Sequence, residues 1–189
     1  MLSRLKDQTQ DTVSDVRRLV YGLRPPALDD LGLLAAVRQQ AEGHGFVAVE
    51  GFPADEAVEE GGLVFSLEAP EDLLPLPAAV EVAVYRIVQE ALTNVARHAH
   101  AKSCHVRFSV DRRVSVLELE VTDDGVGMPE GRRAGVGLSS MRERAEELGG
   151  TCVVEPGPEG GTRVLARLPV PVMGDTEGER SQWSAPSAS

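Results

Sequence analysis

The chain has 189 residues, a length that suits one domain of moderate size together with a smaller appendage. Its hydrophobic fraction of 42% is typical of a globular protein, and its net charge of −11 argues against a basic nucleic-acid-binding surface. No apolar run is long enough to span a bilayer and the N-terminus lacks a signal-peptide pattern, so we expect no membrane segment and a cytoplasmic location.

The first predicted element is a helix over residues 2–23. Apolar and threonine side chains recur there at alternating steps of three and four, which is the pattern of a coiled coil or helical bundle. Because one helix cannot bury such a stripe alone, we expect another chain or the rest of the molecule to cover it. Pro25 and Pro26 end the helix, since the residue before a proline avoids helical geometry.

Alternating and helical periodicities predict the remaining elements. In chain order they are a helix over 31–41, strands over 46–50 and 63–68, a helix over 78–98, strands over 104–110 and 117–121, a helix over 138–148, and a hairpin of strands over 151–155 and 162–170. Asp29 or Asp30 is expected to cap the helix over 31–41, and the acidic loop over 53–62 to be exposed and mobile. This order predicts an α+β fold with helices on one face of a mixed sheet.

The two cysteines, Cys104 and Cys152, lack the spacing of a metal or redox motif. Two reduced thiols in the core are favoured over a disulfide.

The helix over 78–98 carries an unusual row of polar groups. Glu90, Asn94 and His98 are four residues apart, so an α-helix places a carboxylate, an amide and an imidazole on one face, while the opposite face is apolar. Such a row can hold a metal ion, a water molecule and a phosphate.

Two glycine-containing segments follow. Asp123, Gly125 and Gly127 come at the end of a predicted strand, where a carboxylate can accept a hydrogen bond from an exocyclic amine, although a plain tight turn has the same pattern. Gly135 and Gly137 directly precede a predicted helix, whose N–H groups can bind phosphate, although a loose connection is also consistent with them.

In this order and at these spacings, the segments resemble the ATP-binding domain of sensor histidine kinases, within the GHKL ATPase superfamily, over about residues 74–170. The matching parts are 84–99 (resembling the N box), 123–127 and 135–138 (the two glycine boxes) and 160–162 (the closing glycine-threonine element). The resemblance implies a Bergerat-type sandwich fold, ATP and Mg²⁺ as ligands, and phosphoryl transfer.

A short lid over 128–134 and a stretch over 17–33 resemble the subfamily that drives LuxR-type response regulators, the NarL/DesK-like kinases. This implies dimerisation with another kinase chain and a LuxR/NarL-type regulator as partner. It also implies three regions: a partial dimerisation domain over 1–42, the ATP-binding domain over 43–171, and a tail over 172–189 that we expect to be disordered from its composition.

The resemblance also implies roles for individual residues. Asn94 would be the Mg²⁺ ligand, and Glu90 the catalytic polar or basic group near the γ-phosphate. Arg97 and His98 would lie near the phosphates; the less favoured alternative for His98 is a histidine at the helix end that interacts only with the helix dipole. Asp123 would accept from the adenine amino group. The residues that would shape the pocket and its lid are Gly125, Gly127, Gly135, Gly137, Leu138 and Thr162.

Arg132 and Arg133 in the lid would reach the phosphates or remain solvated.

The phosphoacceptor of such kinases is a histidine followed by an acidic residue. None of the four histidines, His44, His98, His100 and His105, has this context, so the chain resembles one that begins within the dimerisation domain. We expect transfer to a histidine on another polypeptide. The alternatives are an ATP-binding regulator that does not autophosphorylate and an anti-sigma-factor-like serine kinase, and the stretch over 17–33 argues against the latter.

Overall fold

The computed structural model describes residues 24–49, 62–71, 73, 75–127, 136–158 and 160–170. Its helices are Pro26–Leu31 (α1), Leu33–Gly43 (α2), Ala78–Asn94 (α3) and Val136–Glu146 (α4), with a π-helical turn over Val95–Ala99. Its strands are Phe46–Val49 (β1), Leu63–Glu68 (β2), Ser103–Asp111 (β3), Val116–Asp123 (β4), Thr151–Pro156 (β5) and Thr162–Pro169 (β6). The predicted helix over 2–23, nearly all of the acidic loop, the lid and the tail lie outside these residues.

The strands form one six-stranded mixed sheet in the order β1-β2-β3-β4-β6-β5. β2 pairs in parallel with both β1 and β3, and the remaining neighbours are antiparallel. The connection between the parallel strands β2 and β3 contains α3, as a parallel crossover requires. The predicted mixed sheet is therefore confirmed.

The two faces of the sheet differ in chemistry. The inner face packs against the helices through a continuous core, to which the strands contribute Phe65, Cys104, Val106, Phe108, Leu117, Leu119, Val121, Val154, Val164, Ala166 and Leu168. The outer face carries cross-strand ion pairs, as expected when side chains alternate along each strand. These pairs are Glu68–Arg107 (2.9 Å), Glu118–Arg167 (2.8 Å), Glu120–Arg163 (2.7 Å) and Glu155–Arg163 (3.0 Å). The prediction of helices on one face is confirmed.

The prediction of one helix over 31–41 was wrong about where the helical region begins. Two helices occupy this region, because Gly32 adopts a φ of +74° and breaks the chain between α1 and α2. Asp29 and Asp30 lie inside α1 and do not cap α2. The missed signal is Pro26, since proline is favoured in the first turn of a helix.

The predicted helix over 78–98 was too long as an α-helix. α3 ends at Asn94, and the chain continues as a wider π-helical turn that stops at His100, whose φ is +52°. Such turns are rare and occur frequently at functional sites. His98 therefore does not continue the α-helical spacing of Glu90 and Asn94.

Cys104 and Cys152 are free and buried, as predicted. Burial raises the pKa of the Cys152 thiol to about 11, so this thiol remains protonated near neutral pH. Within the described ranges, no helix has the length and apolar character needed to cross a membrane.

Candidate functional site

Asp123 is the last residue of β4 and its side chain turns toward the core face, where it is only 9% exposed. The Gly125 N–H donates to its Oδ1 over 2.9 Å, and the N–H and hydroxyl of Thr162 also donate to the carboxylate. Burial raises the pKa of Asp123, and these three hydrogen bonds oppose the rise without cancelling it. The carboxylate is thus fixed in orientation by its neighbours.

Asp124, the next residue, has the opposite environment. Its side chain is exposed, and its Oδ1 accepts the N–H groups of Lys102 (2.7 Å) and Ser103 (2.9 Å). Partial burial acts to raise the pKa of Asp124, but the hydrogen bonds from Ser103 and Lys102 outweigh it, so the pKa lies below its usual value. Asp124 anchors the loop before β3, and Asp123 faces the candidate site.

Glycines let the backbone approach the site closely at two points. A Cβ on Gly125 would overlap the carbonyl oxygen of Ala99. The same oxygen accepts a hydrogen bond from the Val126 N–H over 2.8 Å. A Cβ on Gly161, which has a φ of +66°, would overlap the main-chain carbonyl of Asp123. The loop after β4 is therefore joined to the π-helical turn on one side and to the start of β6 on the other.

Glu90 reaches the N-terminal turn of α4. A Cβ on Gly137 would overlap its carboxylate, so the absence of a side chain at position 137 makes room for this acid. The positive end of a helix dipole favours a carboxylate in that place. Glu90 and Gly137, which are 47 positions apart in sequence, are thus neighbours in the fold.

The other predicted site residues lie at different depths. Asn94 is half-buried at the end of α3, whereas Arg97 and His98 in the π-helical turn are exposed. Leu138 is half-buried and packs against the core. Gly127 has a φ of +71° and lies close to the backbone of Gly161. Gly135, Arg132 and Arg133 lie outside the described residues.

A polar cavity that the sequence reasoning did not anticipate borders Glu90. Its volume is about 460 Å³, and it lies between the end of α2, the outward side of α3 and the end of α4. The lining residues include Gln40, Arg86, Gln89 and Arg144. The signal in the sequence that could have indicated a polar site here is the position of Arg86, one helical turn before Glu90 on the same side of α3.

Residues 79–172 match the family model of the histidine kinase-, DNA gyrase B- and HSP90-like ATPases. Among curated proteins, the chain is similar to the signal transduction histidine-protein kinase/phosphatase DegS of Brevibacillus brevis, at 29% identity over 88% of this chain and 40% of that protein. It is also similar to UhpB of Salmonella typhimurium, another signal transduction histidine-protein kinase/phosphatase, at 36% identity over 82% of this chain and 28% of that protein.

A solved structure, the blue-light activated histidine kinase EL346 of Erythrobacter litoralis, shares the fold with a TM-score of 0.56. It is 22% identical, and the match covers 72% of this chain and 40% of that one.

The fold and the matched domain define a GHKL-type ATPase domain. Residues 79–172 belong to this family of ATPases, and the chain is similar over more than four fifths of its length to signal transduction histidine kinases. It spans less than half the length of the curated relatives named above. A match to 88% of the chain must include residues before position 79, so the similarity extends beyond the ATPase domain.

Proposed function

We propose that this chain is the catalytic region of a two-component histidine kinase, which binds ATP with Mg²⁺ and transfers the γ-phosphoryl group to a histidine on another polypeptide. From there the group would pass to an aspartate of a response regulator. The observation that carries the proposal is the buried Asp123 carboxylate, held by Gly125 and Thr162 at a loop whose glycines leave no room for side chains. The similarity to histidine kinases supports phosphoryl transfer as the reaction class.

Asp123 would recognise the adenine amino group. An ionised carboxylate only accepts hydrogen bonds, so it favours an amine over a carbonyl at the same place. Gly125 and Gly127 would bring the backbone against the base, and Thr162 would hold Asp123 in the required orientation.

Asn94 would be the protein ligand of Mg²⁺. An amide oxygen is a ligand that this hard cation accepts, and protein sites commonly supply one or two such oxygens beside phosphates and waters. Among the described residues no cluster of three acidic, histidine or cysteine side chains could hold a metal by itself, which fits a shared site of this kind. The bound ion would neutralise charge on the phosphate oxygens.

Glu90 would act next to the γ-phosphate as the catalytic polar or basic group, supported by its position at the N-terminal turn of α4. Gly135, Gly137 and Leu138 would hold the lid over the phosphates. Arg97 and His98, which are exposed, would reach the phosphates from the π-helical turn.

The partners, the domain bounds and the location are proposed from the resemblance to NarL/DesK-like kinases. We propose a LuxR/NarL-type response regulator, a dimer formed with another kinase chain through a dimerisation region over 1–42, an ATP-binding domain over 43–171, and a cytoplasmic location. None of the four histidines of these 189 residues is followed by an acidic residue, so the proposal places the acceptor histidine outside them. The second candidate is an ATP-binding regulator that does not autophosphorylate.

The test is phosphoryl transfer from ATP labelled at the γ-phosphate. The chain alone should bind ATP and yield little labelled protein, whereas adding a fragment with an acceptor histidine followed by an acidic residue should yield acid-labile label on that fragment. Glu90→Gln should retain ATP binding and lose transfer, and Glu143→Gln, on an exposed position of α4, is the matched control.

Stable acid-labile label on the wild-type chain alone would refute the acceptor in trans. Binding without transfer to any such acceptor would favour the regulator.

A further inference from the structure

The cavity beside Glu90 is polar and has the size of a ligand site. Its volume of about 460 Å³ lies within the range of small-molecule pockets. Glu90 lines the cavity and is also the residue assigned to the γ-phosphate in the proposed ATP site, so the two sites share this carboxylate. A phosphate held next to Glu90 would therefore lie at the border of the cavity.

Arg86 lies in the cavity wall, and its buried Nε–H has no hydrogen-bond partner in the described structure. Its Nη1 donates to Oε1 of Gln89 over 3.0 Å. Leaving a buried donor unsatisfied is unfavourable, and such groups in native proteins commonly face a ligand, a water or an ion.

The Arg86 side chain is held from the α2 side. Gln89 Nε2 donates to Oε1 of Gln40 at 3.5 Å, and Gln40 Nε2 donates to the hydroxyl of Tyr85 at 2.5 Å. This chain of hydrogen bonds fixes the guanidinium before any ligand arrives, which lowers the entropic cost of binding.

The charge balance at Glu90 identifies the chemistry of the ligand. A carboxylate next to a phosphate repels it, so a nearby cation is needed in addition to a metal ion. Arg86 is four residues before Glu90 on the same side of α3, at neighbouring positions of the helix surface. Guanidinium groups bind phosphate oxygens through strong, charge-assisted hydrogen bonds.

We propose that Arg86 binds the terminal phosphoryl group of the nucleotide, so that this site distinguishes ATP from ADP. The inference rests on the proposed ATP site. Arg86 donates from Nε to a γ-phosphate oxygen, and Gln89 and Gln40 act as positioning residues for it.

The experiment compares ATP and ADP affinities of the full chain in the presence of Mg²⁺, measured by titration calorimetry. Arg86→Gln should weaken ATP about tenfold or more and leave ADP within about twofold. Arg86→Lys should weaken ATP by less, because it keeps the charge and loses the planar donor set. Arg142→Gln, on an exposed position of α4, is the control and should change neither affinity.

The outcomes separate the two proposals. If the wild-type chain binds neither nucleotide, the proposed function fails and this inference fails with it. If the wild type binds both and Arg86→Gln weakens them equally or not at all, the inference alone is overturned. A third outcome would also overturn the inference. In it, inorganic phosphate alone raises the melting temperature of the wild type but not that of Arg86→Gln, and the ratio of ATP affinity to ADP affinity is the same in both. The site would then bind a free anion.

Discussion

The two faces of the sheet use carboxylates in different ways. On the outer face, glutamates pair with arginines of neighbouring strands and stay partly exposed, as Glu120 does beside Arg163. On the inner face, Asp123 is the one buried carboxylate among the described residues, and it has no cationic partner in the ion pairs of that region. Its neighbours are the N–H and hydroxyl donors of Gly125 and Thr162.

This difference separates stability from function. Partly exposed ion pairs are screened by solvent and contribute little each. A carboxylate that is buried without a cation is destabilising when ionised, and its raised pKa reflects that cost. Groups in such an environment are candidates for binding or catalysis. The following predictions test this contrast, starting with the largest expected effect.

Gly161→Ala should lower the free energy of unfolding by about 3 kcal/mol or more, because the added Cβ would overlap the Asp123 carbonyl and the backbone could not relieve it. Gly149→Ala is the matched control: it has a similar φ of +73° but no atom within 4 Å of the added Cβ, so only conformational strain of about 1 kcal/mol is expected. Urea denaturation of both variants measures the difference, and equal losses would contradict the close approach at Asp123.

Asp123→Asn should weaken ATP binding about 100-fold, or roughly 2.7 kcal/mol, because an acceptor-only group becomes a group that also presents an NH₂ to the adenine amine. The free energy of unfolding should not fall in parallel, because the neutral amide removes the cost of burying an ionised carboxylate. Calorimetric titration and thermal melting check the two parts. Unchanged ATP affinity would remove the adenine assignment.

Acidification should weaken ATP binding, because protonated Asp123 loses its charge. Since the pKa of Asp123 is raised, the loss should begin at a pH above 3.8, the ordinary pKa of an aspartate. A loss of about tenfold per pH unit is expected below the raised pKa of Asp123. Affinity measured against pH in wild type and in Asp124→Asn provides the check, and the two curves should coincide.

The same two residues should have opposite effects on folding. The stabilising contribution of Asp123 is fully present below pH 3.8 and decreases as the pH rises through its raised folded-state pKa. Asp124 has a lowered pKa, so its contribution is present above 3.8 and is lost as the pH falls through its folded-state value. The NMR chemical shifts of the two carboxyl carbons, followed through a pH titration, measure both pKa values. A pKa of Asp124 above that of Asp123 would contradict the prediction.

Arg163→Gln should have the smallest effect. It removes two outer-face ion pairs, with Glu120 and Glu155, yet we expect a loss of at most about 1 kcal/mol that shrinks at high salt. ATP affinity should stay unchanged. A large loss of nucleotide binding in this variant would show that the outer face also serves the site.

Much of the fold was predictable because periodicity reports burial directly. The alternation in β3 and β4 and the apolar stripe of α3 identified the core, and the strand and helix order identified the mixed sheet. The break at Gly32 and the π-helical turn were not predictable in this way. The first shows in the dihedral angle of one glycine, and the second ends at Ala99, whose carbonyl accepts a hydrogen bond from Val126, a residue distant in sequence.

By itself, the sequence determined which chemical groups were available: the carboxylates Glu90 and Asp123, the amide Asn94 and the glycines around them. Only the tertiary structure decided their environments. It buried Asp123 beside Thr162, brought Glu90 against Gly137, and opened a cavity at Arg86. Residue types and spacings are local, whereas burial, close approach and cavity shape depend on long-range packing, and those properties distinguish the buried Asp123 from the exposed Asp124 next to it.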